Sequence, residues 1–299
     1  MAPDEGEFET SLGEAIVDAA ARLRASGSPT PRLDAEVLLA FHLGRDRAWL
    51  LARPEEPLAD APAFDELIVR RARGEPVAYI RGFKEWHSLR MRTDPRALIP
   101  RPETELLADA AIAEIASRLD GGPRVAAREV ATGSGAVAIA IALQLGDVID
   151  AGRLTLVASD ISADALALAA ENLDAHGVRS RIRLVQADLL PADAEPRPDV
   201  VIANLPYVSS AEVDERRGSL GFEPRVALDG GPDGLDLLRR LLHDLPAKTA
   251  EGASTFLEIG VDQASTIEAL APPGASVRLV PDLAGLDRVV RVDLPRLTA

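Results

Sequence analysis

From residue 124 onward the chain alternates short apolar runs with longer stretches whose apolar residues recur at helical spacing. The short runs predict strands near 125–131, 153–158, 181–187, 199–204, 253–259, 276–281 and 287–294. The longer stretches predict helices over 135–146, 162–176, 233–246 and 261–271, with another from 106 to 119. Strand–helix alternation of this kind implies an α/β fold with a seven-stranded, mostly parallel, doubly wound sheet. One long interruption, 205–232, is rich in Gly and Pro, and a loop of that length inside a compact domain usually carries function or moves. Residues 1–75 follow a different rhythm. Ser11 and Glu14 have capping-box spacing ahead of an apolar-periodic run that Gly27 and Pro29 stop. Further helices are predicted over 31–43, 47–51 and 63–73, which makes a small amphipathic bundle. Between the two lies a stretch, 76–100, that reads as strands at 77–80, 82–86 and 89–93 around turn residues. The expected organisation is a helical domain over 1–75, a β-hairpin linker over 76–100 and a main domain over 101–299.

Composition narrows the class without choosing the chemistry. At 299 residues the chain is long enough for two domains, and 47% hydrophobic with 27% charged residues marks it as globular. No run of about twenty apolar residues occurs, so no transmembrane helix is expected. The start, Met1 to Glu7, is acidic where a secretory signal would be basic and then apolar. Cysteine is absent, which removes disulfides, thiolate metal sites and a cysteine nucleophile. His42, His87, His176 and His243 are scattered, so no metal is expected, and a cytoplasmic address fits best. The formal net charge of −15 argues against a surface built to hold nucleic acid. The densest basic stretch, from Arg71 to Arg101, reads as a solvated face.

Candidate chemistry gathers at the expected strand ends. Asp199-Val-Val-Ile-Ala-Asn-Leu-Pro-Tyr-Val208 is an apolar run that stops at a polar amide, and the carboxyl edge of an open α/β sheet is where ligands bind. Asn204 brings a carbonyl oxygen and an NH2 on one short side chain. Pro206 holds Leu205 extended, which can turn the Leu205 carbonyl out of the sheet. Tyr207 adds a flat face, and two acceptors beside an aromatic wall suit a planar group that carries an NH2. Upstream, Glu129-Val-Ala-Thr-Gly-Ser-Gly135 places Ala131, Thr132, Gly133, Ser134 and Gly135 between a strand and a helix. The glycines allow close backbone approach, and the helix start presents free N–H groups. The turn lacks the Gly-Lys-[Ser/Thr] of a phosphate loop and the third glycine of a dinucleotide fingerprint. The next strand ends in Asp160, where a carboxylate can accept ribose hydroxyls. The one after ends at Asp188 and Leu189, where a second acid could meet an adenine amino group. In Leu98-Ile-Pro-Arg-Pro-Glu-Thr-Glu105, two prolines flank Arg101 and Glu103 opens a helix, as first-turn residues do.

A glycine turn, two acids at successive strand ends and Asn-x-Pro-Tyr together resemble the class I S-adenosylmethionine-dependent methyltransferases. Arg73-Gly-Glu-Pro-Val-Ala-Tyr-Ile80, Leu98 to Glu105, Glu223-Pro-Arg-Val-Ala-Leu-Asp-Gly-Gly-Pro-Asp-Gly234 and Leu257-Glu-Ile-Gly260 with Gln263 are similar to one family within them. That family is the bacterial release factor glutamine methyltransferases (PrmC/HemK). The resemblance implies S-adenosyl-L-methionine as cofactor, bound by Ala131 to Gly135, Asp160, Asp188, Leu189 and Asn204. It implies transfer to the glutamine of a Gly-Gly-Gln loop in peptide chain release factors. Asn204, Leu205, Pro206 and Tyr207 would hold the substrate amide, and Arg101, Glu103 and Glu129 would support them. The expected partner is the release factor protein, with no membrane, no direct nucleic-acid binding and a monomeric chain. Two positions depart from the family, Ala131 where Gly is usual and Leu205 where Pro is usual. The first narrows the approach to the methionine end of the cofactor; the second keeps a main-chain carbonyl. Open alternatives are an adenine-N6 methyltransferase, which would act on a flipped base, a glutamine methyltransferase of a ribosomal protein, and a cofactor binder without turnover.

Overall fold

A computed structural model of the chain describes residues 10–191, 195–216, 218–260, 263–282 and 284–296. The acidic start at 1–7 and the first two residues of the helix expected over 261–271 lie outside the described residues. The chain divides into two compact units, Met1–Gly82 with Arg216–Phe222, and Phe83–Glu215 with Glu223–Ala299.

In the first unit the Ser11–Glu14 capping box opens α1 (Leu12–Ala25), with the Glu14 carboxylate accepting from the Ser11 backbone N–H at 2.9 Å. Helix α2 (Pro31–His42) follows, then α3 (Arg47–Leu51) and α4 (Ala61–Ala72), the last two capped by Asp46 and Asp60. Leu12, Ile16, Leu23, Leu38, Leu39, Leu50 and Ile68 meet in their common core. Residues 77–80 correct the strand expected there, because Val77–Arg81 is a helical turn, α5. Pro76 starts it, the Ile80 N–H donates to the Pro76 carbonyl at 3.0 Å, and Gly82 ends it in the left-handed region. One turn puts Val77 and Ile80 on the same face, against the helical core, which alternation over four residues cannot distinguish from a strand. Arg71 also corrects its expected place on a solvated face. Its guanidinium is buried and donates to Asp34 at 2.7 Å, to the Glu75 carbonyl and to the Ser219 hydroxyl.

The second unit begins with an antiparallel pair, β1 (Phe83–Trp86) and β2 (Leu89–Arg92). His87 and Ser88 turn between them at φ 49° and 59°, the geometry of a tight hairpin. Then come α6 (Thr104–Gly121), β3 (Val125–Val130), α7 (Ala136–Gln144), α8 (Gly146–Asp150), β4 (Leu154–Asp160) and α9 (Ala163–Ala175). The helix expected over 135–146 is thus broken at Leu145, and a Cβ on Gly146 would collide with the Arg181 guanidinium. After β5 (Ile182–Gln186) and β6 (Val200–Ala203), the stretch expected to be a long loop contains α10 (Ser210–Glu215) and a 3-10 turn (Arg225–Ala227); a further 3-10 turn between them, Gly218–Phe222, belongs to the first unit. Helix α11 (Asp236–Lys248), β7 (Ser254–Glu258), α12 (Ala264–Leu270), β8 (Ser276–Pro281) and β9 (Asp287–Asp293) complete the unit.

Seven strands pair in the order β5-β4-β3-β6-β7-β9-β8, parallel except for β9. The chain leaves β3 toward β4 and β5, then returns to the other side of β3 with β6. That reversal between β3 and β6 opens a crevice at the carboxyl edge. Register sets the depth of the crevice. Val130 pairs with both Ser159 and Ala203, so Ala131, Asp160 and Asn204 all emerge at one edge. One face of the sheet buries Leu107, Ile115, Ile139 and Phe256; the other buries Val201, Leu241, Leu257 and Val290.

Candidate functional site

A cavity of about 590 Å³ lies at this edge. Its wall takes in Ala131 to Ser134, Asp160, Asp188, Leu189, Asn204, Leu205, Pro206, Arg101 and Glu129, together with Thr104. Gly135, Glu103 and Tyr207 are not part of that wall.

The turn after β3 is shaped by backbone. Ala131, Gly133 and Gly135 all adopt positive φ, at 56°, 55° and 83°. The Thr132 N–H donates to the Ser159 carbonyl and the Gly135 N–H to the Thr132 carbonyl, both at 2.9 Å. A Cβ on Gly135 would press on Leu173 and Ala169 at 3.2 and 3.3 Å, so that glycine lets α9 close on the turn. A Cβ on Gly133 would meet nothing within 4 Å. Asp160 grips the turn from β4, accepting from the Gly133 N–H and the Ser162 N–H at 2.9 Å. Burial raises its pKa, against the lowering effect of those N–H groups. Beneath the turn, Glu129 is buried and one of its oxygens accepts from the Thr132 hydroxyl at 2.7 Å and the Ala138 N–H at 3.0 Å. Burial outweighs those bonds and pushes its pKa up to about 8. Asn172, buried on α9, donates to the Ser134 carbonyl at 3.0 Å and exchanges two hydrogen bonds with the Arg92 backbone. Asp188 lines the cavity from an exposed position, and one oxygen of its carboxylate accepts from Arg240 at 2.6 Å.

The edge after β6 is shaped by side chains. Asn204 donates through its NH2 to the Thr104 hydroxyl oxygen at 3.2 Å, and that hydroxyl donates to Glu258 at 2.6 Å. The amide is thereby held by its nitrogen, with its oxygen left to the cavity. The Leu205 side chain is buried in a core cluster with α11 and α12 residues, so the departure from Pro fills core space at the cavity wall. Among the described residues no donor takes the Leu205 carbonyl. Burial pushes the Glu258 pKa up to about 7, and Glu103 adds to the rise; the Thr104 and Asn204 bonds and Arg288 oppose it. Tyr207 has its pKa raised by burial and then by Glu258, and its carbonyl accepts from the Gln263 amide at 3.2 Å. It backs the edge instead of walling the cavity. The glycine string folds over the same edge. The Val208 N–H donates to the Leu228 carbonyl and the Gly230 N–H to the Val208 carbonyl. A Cβ on Gly230 would reach the Pro206 carbonyl at 2.6 Å, so only glycine permits that approach. Arg101 is no solvated surface residue either. It donates to Glu223 at 2.6 Å, and the other Glu223 oxygen accepts from the Ile99 N–H at 3.1 Å.

Sequence reasoning left four residues of this site without a role: Thr104, Glu258, Asn172 and Glu223. Thr104, Glu223 and Glu258 stand inside the strings that carry the resemblance; Asn172 left no signal in its helix.

Residues 14–82 match the PrmC N-terminal domain and residues 109–218 the Methyltransferase small domain. The chain is 39% identical over 283 residues to the release factor glutamine methyltransferase of Moorella thermoacetica, covering 93% of this chain and 96% of that protein. It is 38% identical to the enzyme of the same name from Neisseria gonorrhoeae, covering 88% and 93%. The solved hMettl16 catalytic domain in complex with MAT2A 3'UTR hairpin 1 superposes with a TM-score of 0.51 at 16% identity, over 78% of this chain and 85% of that one. That likeness concerns the fold. Among the described residues no helix is long and apolar enough to cross a membrane.

Proposed function

Since the chain belongs to the release factor glutamine methyltransferase family, we propose that it methylates the side-chain nitrogen of the glutamine in the Gly-Gly-Gln loop of peptide chain release factors, with S-adenosyl-L-methionine as donor. The residues present suit that cofactor. The turn from Ala131 to Gly135 would take its methionine end, and open space above Gly133 leaves room for it. Asp160 would accept its ribose hydroxyls, since a carboxylate has about four acceptor positions and the backbone N–H groups of Gly133, Ile161 and Ser162 do not fill them. Asp188, Leu189 and the exposed Ile161 would bound its base. When bound, it supplies a methyl group already activated on a sulfonium.

A glutamine amide nitrogen is a poor nucleophile, because its lone pair is delocalised into the carbonyl. The work left to the protein is alignment and stabilisation of developing positive charge. The Asn204 side-chain oxygen and the Leu205 carbonyl accept the two amide hydrogens, which aims the nitrogen and draws off charge. No strong base is needed, since the extra proton can leave to water after transfer. The observation that supports this reading most is the Asn204 amide held by its nitrogen, so that an acceptor and not a donor is offered to the cavity.

Mass spectrometry of a Gly-Gly-Gln peptide from unmodified release factor, incubated with the protein and S-adenosylmethionine, tests it. One added methyl on the glutamine side chain, lost in Asn204→Ala, is the expected result. Bound cofactor with no methyl on the peptide would overturn the substrate assignment and leave a ribosomal protein or an adenine base as the acceptor to try.

A further inference from the structure

An asparagine side chain has one accepting end and one donating end of nearly equal size. The reading above needs the accepting end toward the substrate, and Asn204 alone cannot guarantee that. What decides it lies one and two residues away. Thr104 is the first residue of α6 and Glu258 the last of β7, and both are buried, at 6% and 2% exposure. Thr104 shares the cavity wall with Asn204 and Glu258 does not; Glu258 holds the Asn204 NH2 from behind, through the Thr104 hydroxyl and by a side-chain hydrogen bond of its own. An ionised carboxylate can only accept, so the Thr104 hydrogen is committed to Glu258 at 2.6 Å. The Thr104 oxygen can then take only a donor, and the Asn204 NH2 fills that place at 3.2 Å.

We propose that Thr104 and Glu258 are positioning residues that hold the Asn204 oxygen toward the substrate amide, and that one proton added to Glu258 reverses the amide. The inference rests on the methyl-transfer reading, because only an NH2 substrate makes the orientation matter. With Glu258 protonated, its O–H can donate to Thr104. The Thr104 hydrogen is then free to turn to the Asn204 oxygen, and the Asn204 NH2 faces the cavity. Two donors would confront each other across the reacting position. One proton is gained at Glu258 and none is lost elsewhere, so the switch is a single titration. Burial raises the Glu258 pKa to about 7, which puts that titration in the working range. The charges that face Glu258 are Glu103 ahead of α6, which favours the proton, and Arg288 on β9, which opposes it. Tyr207, behind β6, is the remaining titratable neighbour and stays neutral in this range, its own pKa being raised.

The test uses the full chain with S-adenosylmethionine and Gly-Gly-Gln peptide. Wild-type kcat should fall with a one-proton slope below about pH 7, with KM and cofactor Kd little changed. Thr104→Val and Glu258→Gln should each lose kcat by about 10²-fold, the size expected when a reacting group is misplaced, and Glu258→Gln should also lose the acid limb. Thr104→Ser should recover most of what Thr104→Val loses, since it restores the hydroxyl. An unaltered acid limb in Glu258→Gln, or Thr104→Val within twofold of wild type, would overturn the relay. A second readout needs no turnover. The Asn204 side-chain NH2 signals should shift with the same midpoint as the Glu258 carboxyl carbon in wild type, and should lose that titration in Glu258→Gln; independent midpoints in wild type would refute it. If wild type binds cofactor but methylates no glutamine, the functional reading fails, and this second readout still decides the relay.

Discussion

The turn after β3 and the edge after β6 each rest on a buried carboxylate, and they use it differently. Glu129 accepts from a backbone N–H and a hydroxyl within nine residues of itself, and fastens the start of α7 to the strand before it. Glu258 reaches Thr104, 154 positions away, and Asn204, both through that hydroxyl and by a bond of its own. The first region presents backbone N–H groups fixed by positive φ; the second presents a side-chain oxygen fixed by a relay. A site built from backbone survives a side-chain change if the dihedrals survive. A site built from a relay fails when any one member changes, even though nothing moves far. The cradle should therefore respond to substitution in affinity and stability, and the edge in turnover.

The largest effect tests that division directly. Asn204→Ala should lower kcat by about 10²–10³-fold, the range for removing one preorganised polar group from a reacting centre. Cofactor Kd by calorimetry should stay within about threefold. Equal losses in both would mean that Asn204 serves the cradle as much as the edge. Next in size is the converse. Asp160→Ala removes a charged acceptor from two backbone N–H groups and from the cofactor. A hydrogen bond to a charged group contributes about 1.5–3 kcal/mol, so Kd should rise about 10- to 100-fold while kcat at saturation falls much less. A collapse of kcat at saturating cofactor would break the comparison.

The carboxylates also separate by pH. Glu129 has a folded pKa near 8 against an ordinary 4.5, so between those values the folded chain holds a proton that the unfolded chain has released. Stability should fall as pH rises through that window, by up to about 1.4 kcal/mol for each pH unit crossed. Glu258, raised to about 7, adds a slope of the same sign over a narrower range. Urea unfolding at pH 5 and pH 8 should show a smaller loss in Glu129→Gln than in wild type. Identical losses would mean that burial of Glu129 is relieved by water, leaving its pKa ordinary.

How much of this was legible in the sequence follows the same division. The strands and a mostly parallel, doubly wound sheet follow from alternation of apolar runs, whereas the order in which they pair does not; Gly133, Gly135 and Asp160 mark the cradle because local dihedrals and strand ends leave local signals. Residues 77–80 carry no decisive signal because four apolar-rich residues fit a strand or one helical turn equally well. Only the bundle core, which Val77 and Ile80 join, decides between them. Asp188 stands where a strand end predicts it, and its pairing through one oxygen with Arg240 on α11 left no signal in the sequence. The relay was invisible as a relay. Thr104, Asn204 and Glu258 come from the starts and ends of three elements, and no spacing rule links them. Arg101 and Arg71 were misassigned to a charged surface because their partners, Glu223 and Asp34, are 122 and 37 positions away.

The smallest expected effect sharpens the cradle half of the comparison. Ala131 and Gly133 hold nearly the same backbone angle, φ 56° and 55°. For a residue with a Cβ the left-handed region costs about 1–2 kcal/mol, whereas glycine enters it freely but brings about 0.5–1 kcal/mol of extra unfolded-state entropy. Ala131→Gly should therefore raise stability by about 0.5–1 kcal/mol, and Gly133→Ala should lower it by about as much. A Cβ at position 133 meets no atom within 4 Å, so the second change reports backbone strain without a clash. Since Ala131 also lines the cavity, its methyl removal should tighten cofactor Kd a few-fold, which isothermal titration would resolve. Stability gained without any change in Kd would show that the methyl strains the turn but leaves the approach to the cofactor open. No gain in either would mean that the turn is held in place by Asp160, Glu129 and Asn172 so firmly that residue 131 no longer sets its energy.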